Sequence, residues 1–174
     1  MRRVLVIGSG GSGKSTFAAA LGARLGLKVI HLDAEYWHPG WVPTPNDEWD
    51  ARVAQLLSGD AWIIDGNYGR TMVQRLAACD AVVFLDLPTL VCTWRVLRRM
   101  TRYAGRTRPD MAAGCSEHFD LKFLWWVWMY RWRSRDAVMQ RLGELPTTTR
   151  VEVFRTPREV SAFLACLPPS LETA

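Results

Sequence analysis

Eight consecutive residues, Gly8-Ser9-Gly10-Gly11-Ser12-Gly13-Lys14-Ser15, have the types and spacing of a loop that wraps an anionic phosphate chain. Glycines let the backbone turn its N–H groups inward around an anion, and the start of a following helix adds partial positive charge. The loop sits between the apolar run Val4 to Ile7 and the helix-forming run Thr16 to Leu25, which is the strand-loop-helix setting such a loop needs. In that setting Lys14 reaches the β- and γ-phosphates of a nucleoside triphosphate, and the Ser15 hydroxyl ligates Mg²⁺. Gly8 through Thr16 are therefore the expected nucleotide-binding residues, with ATP and Mg²⁺ as the expected cofactors.

Three carboxylates lie where a partner chemistry would be expected. Trp62-Ile63-Ile64-Asp65-Gly66 and Val82-Val83-Phe84-Leu85-Asp86 each end an apolar run in an acid, and either Asp65 or Asp86 can hold Mg²⁺ or simply cap a turn. Asp33 closes the run His31-Leu32-Asp33 and opens onto the same sheet edge as the phosphate loop, where a general base for an acceptor hydroxyl belongs. Trp37 and Trp41 follow in an irregular stretch, available to stack on a base or to cover the core.

The basic residues are distributed unevenly. Of 22, only Lys14, Lys28 and Lys122 are lysines, and the arginines concentrate at Arg95, Arg98, Arg99, Arg102, Arg106 and Arg108 and again at Arg131, Arg133 and Arg135. Arginine's planar fork suits bidentate phosphate binding, so the two clusters read as walls of a polyphosphate site; a solvated basic face or a nucleic-acid patch are the competing readings. With a net charge of +5 an anionic partner is expected. Cys79, Cys92, Cys115 and Cys166 form no Cys-x-x-Cys pair and read as reduced thiols, and Cys115 with His118 lacks the second pair of a zinc site. The first strand begins within a few residues and no apolar run reaches the length of a membrane span, so a cytoplasmic location without membrane contact is expected.

These residues must be held by a scaffold, and the alternation of apolar runs with punctuation supplies one. Strands are predicted near 3 to 7, 28 to 32, 61 to 64, 81 to 86 and 150 to 154. Helices are predicted near 14 to 25, 46 to 57, 71 to 77, 88 to 103, 118 to 142 and 157 to 167. Thr44-Pro45-Asn46-Asp47 and Thr156-Pro157-Arg158-Glu159 each offer a capping hydroxyl, a proline at the first helical position and an acid near it. The expected fold is a single three-layer α/β domain over residues 1 to 174, with a five-stranded parallel sheet. Residues 104 to 117, rich in turn formers and arginine, read as a mobile lid, and the apolar run Phe123 to Tyr130, too short to span a bilayer, as core packing beneath it, with membrane contact the competing reading.

The chain resembles the adenylate-kinase-like group of P-loop kinases, and within it the family named DNA topology modulation protein, or FlaR-type. The resemblance is carried by the Gly8 to Ser15 loop, His31-Leu32-Asp33, Trp37-His38-Pro39-Gly40-Trp41, Trp62 to Tyr68, Leu85-Asp86-Leu87-Pro88, Arg95 with Arg99, and Tyr103 to Met111. It implies that Asp65-Gly66 organises Mg²⁺ through water and that Asp86 mainly ends the fourth strand. It implies further that Arg95 and Arg99 contact nucleotide phosphates at the base of the lid, that Arg70 clamps the acceptor, and that Arg131 and Arg135 close on the site. With Asp33 and Trp37, the segment Asp65, Gly66, Asn67 and Tyr68 completes the expected substrate-binding set.

Two departures bear on the substrate. Adenylate kinases carry Thr-Gly after the second strand and an arginine soon after it to hold the phosphate of AMP, whereas here no arginine follows Asp33 until Arg52. A monophosphate attacks through an oxygen that is already anionic, while a hydroxyl benefits from a base such as Asp33. The expectation is a kinase that transfers the γ-phosphoryl group of ATP to a nucleoside, nucleotide or other small hydroxylated acceptor. The alternative is a nucleotide-gated regulator acting on DNA, which the family name suggests but no helix-turn-helix or zinc module supports.

Overall fold

The structure, a computed structural model, describes residues 1–167. The elements run in order β1 (Arg3–Gly8), α1 (Lys14–Leu25), β2 (Val29–His31), α2 (Leu32–Tyr36), β3 (Trp37–His38), β4 (Val42–Pro43), α3 (Asn46–Leu57) and β5 (Trp62–Asp65). A 3₁₀ turn at Gly69–Thr71 leads into α4 (Met72–Ala78), then β6 (Ala81–Leu85), α5 (Thr89–Arg102), α6 (Leu121–Arg133), α7 (Arg135–Gly143), β7 (Arg150–Phe154) and α8 (Pro157–Cys166). The main sheet is parallel throughout, in the order β2-β5-β1-β6-β7. The crossovers that a parallel sheet requires place helices on both faces, which explains why Val4 to Ile7 and Val82 to Leu85 are apolar without alternation.

The pleat divides the central strands between two cores. Leu5, Ile7, Ile64, Val82 and Phe84 pack with Trp49 and Val53 of α3, Leu76 of α4, Tyr130 of α6 and Leu142 of α7. Val4, Val6, Ile63, Val83 and Leu85 pack on the opposite face with Phe17 and Leu21 of α1, joined by half-buried Val160 and Phe163 of α8. Because adjacent residues in a strand face opposite ways, a one-residue slip would exchange these two layers; the register Val6 with Asp65 and Val83 is what brings the strand ends to one edge.

The five strands and the helices at 14 to 25, 46 to 57, 88 to 103 and 157 to 167 lie where the sequence predicts them, to within two residues. The continuous helix predicted over 118 to 142 is two helices. Asp120 caps α6 by accepting the backbone N–H groups of Lys122 and Phe123, and Ser134, at φ −124°, interrupts the helical path before α7 begins. Thr156 forms the full reciprocal capping box with Glu159, but Thr44 does not cap α3: its hydroxyl donates to the Tyr36 carbonyl and so closes the β3–β4 hairpin. The Phe123 to Tyr130 run is core only on one side. Val127 and Tyr130 are buried, whereas Trp125, Trp126 and Trp128 are exposed.

Thr156→Ala is expected to lower the unfolding free energy by about 1 kcal/mol, since one cap of this kind is typically worth that much. A urea denaturation midpoint shifted at unchanged m-value would show it; an unshifted midpoint would show that α8 is held by packing alone.

Candidate functional site

Beyond the carboxyl ends of β1, β2 and β5 lies one cavity of about 960 Å³. Its floor is the loop between β1 and α1, from which Gly10, Gly11, Ser12, Gly13, Lys14, Ser15 and Thr16 line it. The loop depends on glycine at two positions in particular. A Cβ on Gly11, at φ +75°, would collide with the Cys92 carbonyl of α5, and one on Gly10 would sit 2.8 Å from Phe123 and Val127 of α6. Gly13 adopts the left-handed conformation at the start of α1, leaving the first helical N–H groups open toward the cavity.

Gly8 and Ser9 serve the loop from behind and do not line the cavity. The Gly8 N–H donates to Asn67 Oδ1 at 3.0 Å, and Asn67 Nδ2 donates back to the Gly8 carbonyl at 2.6 Å. Lys14 Nζ folds back to donate to the Ser9 carbonyl at 3.0 Å. Burial lowers the pKa of this ammonium, opposed by the charges of Asp33 and Asp65. Arg95 Nη1 donates to the Ser12 carbonyl at 3.2 Å, which docks α5 on the loop.

Asp65 ends β5 and Asp33 lies just beyond β2. His31 Nδ1 donates to Asp65 Oδ1 at 2.9 Å, and that hydrogen bond raises the His31 pKa. The other Asp65 oxygen is buried without a partner, which is what a carboxylate awaiting a hydrated cation presents. The residues present therefore fit Mg²⁺, with Ser15 beside the loop and Asp65 one strand away. Asp33 Oδ1 accepts the Tyr68 hydroxyl at 2.7 Å, and burial with the Asp33 charge pushes the Tyr68 pKa far up, so this phenol remains a donor. Tyr68 holds that position with φ at +20°, an unusual conformation for a non-glycine residue.

Arg75, a residue for which the sequence gives no site signal, fixes that loop. Fully buried in α4, its guanidinium donates to the carbonyls of Gly66, Asn67 and Tyr68 and to the Thr71 hydroxyl, and burial lowers its pKa to about 10. One side chain thus sets Asn67 against Gly8 and Tyr68 against Asp33 together.

The segment 104 to 117 forms the roof. Buried Glu117 pairs with Arg99 at 3.2 Å and with Arg108 at 2.8 Å, and Arg108 pairs also with Asp110. Burial and the neighbouring Arg108 charge lower the Arg99 pKa, and its guanidinium lies over the Phe123 ring. The hairpin is tied to this roof: Gly40 N–H donates to the Gly114 carbonyl, Trp41 Nε1 to the Ser116 carbonyl, and Cys115 Sγ to the His38 carbonyl. Trp37, Trp41 and His118 meet edge to face, forming an aromatic wall of the cavity.

Asp33, Trp37, Asp65, Gly66, Asn67, Tyr68, Arg95 and Arg99 thus line the cavity with the loop, as the sequence predicts. Besides Gly8 and Ser9, which stand behind the loop, three predicted arginines do not. Arg70 is turned outward and held by Asp50 in a two-pronged, half-exposed ion pair. Arg135 is spent on Asp86 at 2.9 Å, which also removes Asp86 as a metal ligand. Arg131 is exposed and lies beside Leu87 and Thr89, behind the loop. His31, Arg108, Glu117 and Trp126, which are not among the predicted site residues, also line the cavity. Thr16 and Ala20 of α1 and Pro157, Val160 and Ser161 of α8, none of them charged, also line it.

No family model matches the chain, and no curated protein sequence matches it significantly. Solved structures do. A deoxyadenosine kinase from M. mycoides with bound dATP aligns at a TM-score of 0.52 and 13% identity, covering 93% of this chain and 95% of that one. A sugar kinase from Janibacter sp. HTCC2649 aligns at 0.49 and 18%, covering 97% and 96%, and a gluconokinase from Sinorhizobium meliloti 1021 at 0.49 and 20%, covering 94% and 91%. The first of these shows the fold: a three-layer α/β P-loop architecture across nearly the whole chain.

Removing the Arg75 fork would leave the Gly66 and Asn67 carbonyls without donors in a buried place, while the Tyr68 carbonyl keeps the Thr71 N–H. Arg75→Met is expected to cost about 3 kcal/mol or more of stability, and Arg75→Lys less, since a single ammonium can serve part of the set. Equal losses in both variants, measured by chemical denaturation, would show that packing and not hydrogen bonding holds the loop.

Proposed function

We propose that this protein is an ATP- and Mg²⁺-dependent kinase that transfers the γ-phosphoryl group to a hydroxyl of a small acceptor. The observation that carries the reading is the joining, in one cavity, of an anion-binding loop with Asp33, a carboxylate that enters no salt bridge among the described residues. Asp33 is held through one oxygen by Tyr68, which leaves its second oxygen to receive an acceptor hydroxyl. The two arginines nearest the acceptor side in sequence, Arg52 and Arg70, are tied to Glu35 and Asp50, and neither lines the cavity. An acceptor phosphate would find no arginine of the AMP-binding kind here, so an uncharged hydroxyl compound is the better match.

The division of labour follows from position. Lys14, Arg95 and Arg99 stabilise negative charge on the transferring group, and the loop N–H groups hold the phosphates behind it. Ser15 and Asp65 would hold Mg²⁺, which supplies charge neutralisation between the phosphates when bound. The uncharged lining from α1 and α8 takes the nucleotide base. Asp33 accepts the acceptor's proton as its oxygen attacks the γ-phosphorus and ADP departs. The roof excludes water, which would otherwise compete as the acceptor.

A coupled ADP-release screen over nucleosides, nucleoside monophosphates and hydroxylated metabolites tests the activity itself. Against the best acceptor found, Lys14→Ala is expected to lower turnover by about two orders of magnitude. Asp33→Asn keeps the shape and removes the base, so acceptor-dependent turnover should collapse while ATP binding, read by tryptophan fluorescence, stays near the parent value. Arg70→Ala should leave turnover within about twofold, because an exposed pair outside the cavity contributes little. Near-parent turnover in Asp33→Asn would favour a nucleoside monophosphate as the acceptor instead.

A further inference from the structure

The helix pair α5 and α6 carries a second surface, distinct from the cavity. On α5, Leu90, Trp94 and Leu97 are exposed; on α6, Leu121, Trp125, Trp128 and Trp132 are exposed, with Trp132 at 62% and Trp94 and Trp125 each at 58%. At 3.6 residues per turn, each set falls within a sector of about 60° on its helix. The opposite side of each helix faces the phosphate loop: Cys92 and Val96 stand against Gly11, and Phe123 and Val127 against Gly10. Both stripes are turned roughly 130° from those loop-facing valines, so both point away from the loop. The helices pack on one another through Val96, Met100, Val127 and Leu124, which sets the stripes side by side.

The extent of this surface is unusual for a soluble chain. With about 250 Å² for a whole indole side chain, the four tryptophans alone expose about 500 Å², where monomers rarely present more than a few hundred Å² of contiguous apolar area. Its charge is one-sided. Neither α5 nor α6 contains an aspartate or glutamate, while Arg98, Arg102, Lys122, Arg131 and Arg133 are all exposed on them. The neighbouring acids are engaged elsewhere, Asp120 in capping α6 and Asp136 in pairing with Arg135.

We propose that the α5–α6 face docks on the surface of an anionic lipid bilayer. The charge decides among occupants. A second copy of the chain would bring the same row of cations against itself across any two-fold axis, with no carboxylate on either helix to answer it. A single-stranded nucleic acid would use the indoles and arginines but has no use for Leu90, Leu97 and Leu121. A bilayer with anionic headgroups uses all three features: the leucines enter the acyl boundary, the indoles sit at headgroup level, and the flanking cations meet the phosphates. No helix of the described residues is long and apolar enough to cross a membrane, so the contact is one of lying on the surface. Since the stripes point away from the loop, docking leaves Arg95, Arg99 and Phe123 in place over the nucleotide site.

Flotation with vesicles tests this on the whole chain. The protein should float with vesicles of equal phosphatidylglycerol and phosphatidylcholine, be released by high salt, and bind vesicles of phosphatidylcholine alone at least about tenfold less. Trp125→Ser/Trp132→Ser should reduce partitioning by about tenfold or more with an unchanged circular dichroism spectrum and melting temperature, because both side chains are solvent-facing. Arg98→Gln/Arg102→Gln should weaken binding to the anionic vesicles alone. A parent protein that stays in the supernatant with anionic vesicles overturns the proposal. So does a lipid-free dimer by sedimentation equilibrium that the double tryptophan variant converts to monomer, or an oligodeoxynucleotide that binds through these residues while vesicles do not.

Discussion

The phosphate loop can exist only because three of its neighbours approach it closer than a side chain would permit. Gly8 lies against the Leu85 carbonyl, Gly10 against Phe123 and Val127, and Gly11 against the Cys92 carbonyl. The loop is therefore a packing junction as well as an anion cradle. Strand β6, helix α5 and helix α6 all close on it, and the same contacts that forbid a Cβ bring Arg95 and Arg99 to the cavity. Hydrogen bonding adds the opposite side, where Asn67 grips Gly8 through both its donor and its acceptor. Since Arg75 holds the Asn67 carbonyl, a buried cation in α4 is joined to the geometry of the loop that follows the neighbouring strand β1.

Much of this arrangement is legible in the sequence because it rests on local signals. Glycine spacing, the apolar runs of a buried parallel sheet, and aspartates at strand ends each have a short-range physical cause. The reading fails where a long-range partner decides. Arg70, Arg131 and Arg135 have the right residue type, but Asp50 and Asp86 claim two of them and the third lies behind the loop. Thr44 has the local environment of a cap, yet the Tyr36 carbonyl takes its hydroxyl. Arg75 and Glu117 are invisible for the converse reason: nothing next to them in the chain reveals that they will be buried among carbonyls or arginines. The run Phe123 to Tyr130 is apolar on every side, so periodicity cannot say which of its faces remains uncovered.

Electrostatic organisation follows the same division. Along the cavity the cations gather over the loop and roof, and the carboxylates Asp33 and Asp65, which pair with no lysine or arginine among the described residues, lie toward β2 and β5. Glu117 and Asp110 lie in the roof itself, and the place of Glu117 between Arg99 and Arg108 holds two like charges together. Without that carboxylate the two guanidinium groups would repel at close range in a half-buried setting, where screening by water is weak.

The stitching of the β3–β4 hairpin to residues 114 to 116 has a mechanical meaning. Two backbone-directed hydrogen bonds and a thiol contact make these segments a single jaw, although some 70 residues separate them in the chain. A displacement of the roof that keeps those bonds must carry Trp37 and Trp41 with it. The aromatic wall and the roof then cannot open independently, so a molecule too large for the wall would hold the whole jaw ajar and let water in. In such a design, discrimination by size and protection from water are one and the same motion.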